Sequence, residues 1–266
     1  MPYATAADHS KIHYDVQGSG EPLLLLAGQA NDRTWWDGVR PALNAAFRTV
    51  APDHLGTGGS EAPEGAEYST RRFAADAVAV LDDLGVERAH VYGTSMGGKA
   101  AQWLAADHPG RVGALVLGCT SPGGVNAVNP SPAIARALGS PDREAALRTL
   151  IGLMFTPEWT ERHPGPYRVL GDAGMPPHAR RAHLAASRAH DAWEALARIT
   201  APTLVLHGSD DAFTPAANAA LIAGRIPGAR VHLVEGARHA YFEERADEAA
   251  RAVLDHLRRH PLVQGR

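Results

Sequence analysis

The stretch Ala89-His-Val-Tyr-Gly-Thr-Ser-Met-Gly-Gly98 decides how this chain folds. Its first half, Ala89 to Gly93, is a short apolar run stopped by glycine, the pattern of a strand buried on both faces. Its second half opens a segment, Ser95 to Asp107, rich in alanine and other small residues, which suits a helix packed closely on a sheet. A strand that reverses into a helix within Gly93-Thr-Ser-Met-Gly97 crowds the positions two before and two after the serine, and glycine fits there because it has no Cβ. Such a turn lifts the Ser95 hydroxyl above the sheet and sets it at a helix N-terminus, where the dipole favours developing negative charge. A bare Gly-x-Ser-x-Gly occurs often by chance and then reads as a surface turn. A strand before it and a helix after it are what single out Ser95 as a nucleophile.

The same alternation runs outward in both directions. Pro22 to Gly28, Arg48 to Pro52, Ala114 to Gly118, Thr203 to His207 and Arg230 to Val234 all read as buried strands. Lys11 to Gln17 alternates in polarity and predicts an antiparallel edge hairpin with the first residues. Between them, Thr70 to Leu84 aligns Phe73, Ala77, Val80, Leu81 and Leu84 on one helical face and ends at Gly85. Glu244 to Arg259 aligns Ala249, Ala250, Val253, Leu254 and Leu257, with acids early and arginines late, in the sense that suits the helix dipole. Strands alternating with helices of this length predict an α/β fold with a mostly parallel sheet covered on both faces. The rhythm breaks from Ser121 to about Ala197, where prolines and glycines interrupt short helical stretches and no strand pattern appears. We read residues 121–197 as a helical cap inserted into a core domain made of residues 1–120 and 198–266.

Composition narrows the function. The chain has 266 residues, 45 % of them apolar, and a formal net charge of −3 with no basic block, which argues against nucleic acid as a partner. The single cysteine, Cys119, excludes an internal disulfide and fits a reducing compartment. Neither a secretory pattern in Met1 to Lys11 nor a membrane-length apolar run is visible, so the expectation is a cytoplasmic protein acting on a small molecule away from membranes.

Gly93 to Gly98 resembles the nucleophile elbow of the α/β-hydrolase superfamily, and Asp53-His-Leu-Gly-Thr-Gly-Gly-Ser60 resembles the acidic, glycine-rich turn of that superfamily. The resemblance covers nearly the whole chain outside residues 121–197. It implies an eight-stranded, mostly parallel sheet and the chain order serine, acid, histidine. Leu206-His-Gly-Ser-Asp-Asp-Ala-Phe-Thr-Pro215 resembles the family's Gly-x-x-Asp loop, and counting from Gly208 selects Asp211 over Asp210, which reads as a loop or capping residue. No acid follows the Ala114–Gly118 strand, where some relatives carry theirs. Of 14 histidines, only His239 falls directly after the last strand, in Glu235-Gly-Ala-Arg-His-Ala-Tyr-Phe-Glu243. In this constellation His239 takes the Ser95 proton and Asp211 holds the imidazole tautomer. The resemblance further implies an oxyanion hole of two backbone N–H groups, from Met96 and from Gln29. Ala27-Gly28 stands where the family often has His-Gly.

Trp35, Thr94 and Phe213 are read as pocket residues, with one of Trp35 and Trp36 packed in the core and the other at the pocket edge. Asp53 is read as structural, and Cys119 as a small buried hydrophobe. His163, His178, His183 and His190 lack metal-ligand spacing and are read as exposed or pocket-lining side chains, with no metal and no cofactor expected. The expected activity is hydrolysis of a carboxylic ester or lactone, most like the enol-lactonase and small-esterase branch. A C–C bond hydrolase, a thioesterase, a cofactor-free haloperoxidase-like or tailoring enzyme, and a non-catalytic receptor-like binder are the rivals. The elbow serine argues against the dehalogenase and epoxide-hydrolase branches, which carry aspartate there.

Overall fold

A computed structural model describes residues 2–262, so Met1 and residues 263–266, the outer ends of the core span drawn above, lie outside the described residues. Eight strands form one sheet: β1 (Tyr3–Thr5), β2 (Lys11–Gln17), β3 (Glu21–Leu26), β4 (Phe47–Pro52), β5 (Ala89–Thr94), β6 (Val112–Gly118), β7 (Thr203–Gly208) and β8 (Arg230–Val234). Their spatial order is β1-β2-β4-β3-β5-β6-β7-β8. The β1–β2 and β2–β4 pairs are antiparallel, as the alternating N-terminal segment predicts, and every pair from β4 to β8 is parallel.

Eleven α-helices are found among the described residues. They are α1 (Arg40–Asn44), α2 (Thr70–Asp83), α3 (Met96–Asp107), α4 (Pro132–Leu138), α5 (Arg143–Met154), α6 (Pro157–Arg162), α7 (Pro177–Ala189), α8 (Trp193–Leu196), α9 (Ala217–Arg225), α10 (Tyr241–Glu244) and α11 (Ala246–Arg258). Local chemistry sets their ends. Ser69 caps α2 by accepting the Arg72 N–H at 3.0 Å, and Gly85, at φ 64, turns the chain out of the helix. Asp142 caps α5 in the same way through the Ala145 N–H.

The period-two pattern of a strand divides the core. On β3, Leu24 and Leu26 join the layer containing Phe73, Val80 and Leu81 of α2 and Leu104 of α3. Leu23 and Leu25 join the opposite layer, with Leu43 of α1 and Val253 and Leu257 of α11. Each such fully buried leucine removes enough apolar surface to stabilise the fold by roughly 1.5–3 kcal/mol, before the entropy of ordering the chain is counted. The strand Arg230–Val234 departs from the reading as a buried run. As β8 it is the sheet edge, and Val231 and Leu233 are 43 % and 46 % exposed. Its apolar residues therefore reflect β propensity more than burial.

All five helices α4 to α8, and no strand, lie between β6 and β7 among the described residues. This segment contacts the sheet's carboxyl edge through named bonds. Leu153 and Met154, at the end of α5, accept the His239 and Ala240 N–H groups at 3.3 and 2.9 Å. The parallel register aligns the carboxyl ends of β5, β6, β7 and β8, pairing Thr94 with Gly118, Gly118 with Leu206, and Gly208 with Val234. The loops that follow these strands carry Ser95, Cys119, Asp211 and His239 respectively. No described helix is long and apolar enough to cross a membrane.

Candidate active site

Ser95 joins β5 to α3 in a strained conformation, φ 53 and ψ −120. A left-handed φ costs an L-residue about 1–2 kcal/mol, and the surroundings hold it there. The Ser95 N–H donates to Gly118 O at 2.9 Å, and its carbonyl accepts from the Thr120 hydroxyl at 2.8 Å. The flanking glycines are sterically obligatory. A Cβ at Gly93 would lie 2.3 Å from Gly97 O, and one at Gly97 would lie 2.0 Å from Leu26 O and 2.5 Å from Ala27 O. This close approach brings the first turn of α3 against the end of β3, where the Gly28-Gln29 loop begins. Met96 is the first residue of α3, so its N–H has no intrahelical acceptor.

His239 and Asp211 are brought together. His239 Nδ1 lies 2.7 Å from Asp211 Oδ2, and the two side chains are buried. A carboxylate can only accept, so Nδ1 carries the hydrogen, and in the neutral ring Nε2 keeps its lone pair. That Nε2 is buried with no hydrogen-bond partner among the described residues, and no hydrogen bond joins it to the Ser95 hydroxyl. Asp211 Oδ1 accepts the Phe213 and Thr214 N–H groups at 2.9 and 2.8 Å. Burial alone would raise the Asp211 pKa, but the adjoining imidazoles outweigh it and hold the carboxyl down at about 2. Asp210 is exposed and accepts from its neighbour Ser209.

His207, on β7, is a site residue that the sequence did not single out. Its Nε2 sits 2.8 Å from Thr214 O and 3.2 Å from Asp211 Oδ2, so a second imidazole flanks the same carboxylate. A histidine inside a strand pattern reads as core, and only the return of the loop through Thr214 reveals the contact. Cys119 is fully buried; burial, then the Asp211 charge, push its thiol well above the usual range.

The other expected site residues divide. Phe213 is half-buried and its ring meets the His239 ring edge-on, with centroids 4.8 Å apart. Trp35 and Thr94 are both buried, and Trp35 Nε1 donates to Thr94 Oγ1 at 2.8 Å. Trp36 is buried too, against Tyr92 and Phe242. Gln29 lies in the loop after β3, and its carbonyl accepts from Asn31 Nδ2 at 2.8 Å. Asp53 is structural: its carboxylate accepts from His13 Nδ1, the Arg33 guanidinium and the Arg33 and Gly59 N–H groups at 2.7–2.9 Å.

Two of the four histidines of residues 121–197 correct their reading as exposed or pocket-lining. His183 and His190 are buried because both of their ring nitrogens find partners. Those of His183 are the Ala30 N–H and Leu55 O; those of His190 are the Thr70 hydroxyl and Gln102 Oε1. No group of three or more metal-ligating side chains occurs among the described residues.

Comparisons with known proteins agree with this architecture. The family model described as alpha/beta hydrolase fold matches residues 21–143, and one described as serine aminopeptidase, S33, matches residues 174–246. A provisionally named carbamate hydrolase, RutD, of Variovorax paradoxus is 32 % identical over 93 % of this chain and 96 % of its own length. The 2-hydroxy-6-oxo-6-phenylhexa-2,4-dienoate hydrolase of Comamonas testosteroni is 29 % identical over 93 % of this chain and 91 % of its own. The crystal structure of the enol-lactonase from Burkholderia xenovorans LB400 superposes with a TM-score of 0.82 at 28 % identity, covering 97 % of this chain and all of that one. With its eight-stranded sheet, its serine on the β5–α3 turn and a 32 % identical relative that matches 93 % of it, the chain belongs to the α/β-hydrolase fold family.

Proposed function

We propose that this α/β hydrolase cleaves a carboxylic ester or lactone through an acyl-enzyme, with Ser95 as nucleophile, His239 as general base and Asp211 as the acid that orients it. One observation carries the reading: His239 is bonded to Asp211 through Nδ1 at 2.7 Å, and its Nε2 is buried with no hydrogen-bond partner among the described residues. An imidazole so held is ready to accept a proton. In the proposed reaction the Ser95 oxygen attacks the carbonyl carbon while Nε2 takes its hydrogen. The carbonyl oxygen gathers negative charge, which the Met96 and Gln29 N–H groups stabilise. The bond to the leaving oxygen breaks, and that oxygen takes the proton from His239. Water then attacks the acyl carbon with His239 again as base, and the proton returns to Ser95 as the acid departs. Asp211 stays ionised throughout and stabilises the imidazolium. Residues 121–197 act as the cap, and Phe213, Trp35 and Thr94 line the pocket, with the Phe213 ring beside His239.

The enol-lactonase likeness supports the ester or lactone bond. A second reading, hydrolysis of a C–C bond in a hydroxy-oxo-dienoate on the same triad, is favoured by the Comamonas testosteroni relative. Carbamate cleavage is named for the Variovorax paradoxus one.

A fluorophosphonate with intact-mass readout tests the nucleophile. We expect one adduct on the wild type and none on Ser95→Ala; labelling that survives the substitution overturns the assignment. Turnover of an ester, lactone, carbamate and hydroxy-oxo-dienoate panel in heavy-oxygen water separates the bond classes. Label in the released acid from esters or lactones supports the first reading, and turnover confined to the dienoates overturns it in favour of the second.

A further inference from the structure

The loop that follows β3 is held from outside its own element. Ala30 sits at φ 57, a conformation that an L-residue adopts only when its surroundings impose it. Both of its backbone polar groups are bonded to the segment between β6 and β7. The Ala30 N–H donates to His183 Nδ1 at 3.2 Å, and its carbonyl accepts the Asp172 N–H at 2.7 Å. Asn31 adds to the clamp by accepting the Gly171 N–H at 2.9 Å while donating to Gln29 O at 2.8 Å.

His183, on α7, is the only side chain that bonds Ala30 directly among the described residues. It is 0 % exposed and its Nε2 lies 2.7 Å from Leu55 O, in the turn after β4. One ring nitrogen accepts an N–H and the other faces a carbonyl, so the ring is neutral with its hydrogen on Nε2. Burial, its largest influence, pushes the pKa down to about 4, so this neutral form persists near pH 7. The ring is packed by Phe73 at 4.9 Å, Tyr68 at 5.8 Å and His54 at 6.3 Å between centroids, and a close-packed ring does not rotate away from its partners.

We propose that His183 is a positioning residue: by accepting the Ala30 N–H it holds the left-handed turn that aims the Gln29 N–H at the oxygen of the substrate carbonyl attacked by Ser95. Residues 121–197 then fix half of the oxyanion hole as well as covering the pocket. The proposal rests on the reading of Ser95 as nucleophile and Gln29 as donor. It explains why an alanine occupies a conformation that suits glycine, since the conformation is supplied by a partner more than 150 residues along the chain.

Two near-isosteric substitutions separate positioning from mere packing. His183→Asn keeps an acceptor oxygen where Nδ1 stands and loses the donor to Leu55. His183→Gln keeps a donor where Nε2 stands and loses the acceptor for Ala30. Each gives up one buried hydrogen bond, so their Tm values fall alike. On the fastest ester of the panel, His183→Gln is expected to lose roughly tenfold or more in kcat, with KM nearly unchanged and a parallel loss in the fluorophosphonate labelling rate. His183→Asn stays within about threefold of wild type, because the geometry it preserves is the one used only in the transition state. Equal kcat in the two variants, or losses that follow Tm alone, overturn the positioning role while Ser95→Ala remains inactive. Turnover or labelling retained by Ser95→Ala, or absent from the wild type, overturns instead the nucleophile on which the proposal rests.

Discussion

A carboxylate that accepts from two backbone amides and faces two imidazoles has every lone pair engaged, and that is the condition of Asp211. Asparagine at this position would offer an N–H where His239 Nδ1 now donates and would drive the imidazole into the wrong tautomer. Asp211→Asn is expected to lower kcat by roughly a thousandfold or more at neutral pH with KM little changed, whereas Asp210→Asn, at an exposed residue, leaves both alone. Steady-state kinetics on the same ester decides it, and equal losses in the two variants would return the choice of acid to open question. The sequence separates the two aspartates only by counting from Gly208, because both sit in one polar loop. What distinguishes them physically, two N–H groups folded back from Phe213 and Thr214 onto one carboxylate, is a property of the turn's geometry. His207 shows the converse. Nothing in Leu-Val-Leu-His-Gly marks it apart from a core residue, yet it meets the acid from the strand side.

At the scale of elements, the strand–turn–helix unit around Ser95 was legible because its constraint is local. Gly93 and Gly97 are demanded by residues a few positions away and by the neighbouring β3. Gly97→Ala would set a Cβ 2.0 Å from Leu26 O, a backbone atom of a central strand with no freedom to retreat. We expect a loss of at least about 3 kcal/mol or failure to accumulate folded protein. Gly110→Ala, where nothing lies within 4 Å, should stay within about 0.5 kcal/mol of wild type. Urea unfolding of both checks this, and a Gly97→Ala protein as stable as Gly110→Ala would show that the elbow can widen. The segment between β6 and β7 was legible only as an interruption. Its contacts with the Gly28–Asn31 loop and with the His239 loop join residues far apart in the chain, and every one of them uses a backbone group, which carries no sequence signal. Arg238, which donates to Gly152 and Phe155 carbonyls of that segment, was hidden for the same reason. The edge position of β8 was hidden too, since an apolar strand reads alike in the middle of a sheet and at its border.

Across the whole molecule the histidines bind the layers together, and this ties stability to pH. His54, His90, His183, His190 and His256 are all buried, and burial is the first cause of a lowered pKa in each, to about 4 for His183 and His256. Below pH 6.5, and down to about 4 for His183 and His256, the unfolded chain binds protons that the folded rings refuse, so stability rises with pH through that window and is lost as pH falls through it. For His183 alone the displacement corresponds to roughly 3 kcal/mol once pH lies below 4. Asp76 works the other way. Burial raises its carboxyl to about 6 despite the Arg72 ion pair, so acidification favours its folded form over part of the same range. Glu243, also raised by burial, acts in the same sense, and two carboxyls against five imidazoles leave the histidines dominant. Asp211, held at about 2, adds its own loss only below the ordinary carboxylate range. Urea unfolding at steps from pH 7.5 to 4.5 should therefore show a continuous fall in stability, and a flat profile would mean that the rings are not held neutral. His256 lies on α11 and faces Pro202 O, just before β7; His256→Gln keeps a donor there and removes one titrating ring. It is expected to flatten the profile without changing turnover at pH 7.5. His183→Asn should flatten it similarly, since the buried ring and not its bond to Ala30 is what makes folding sensitive to acid.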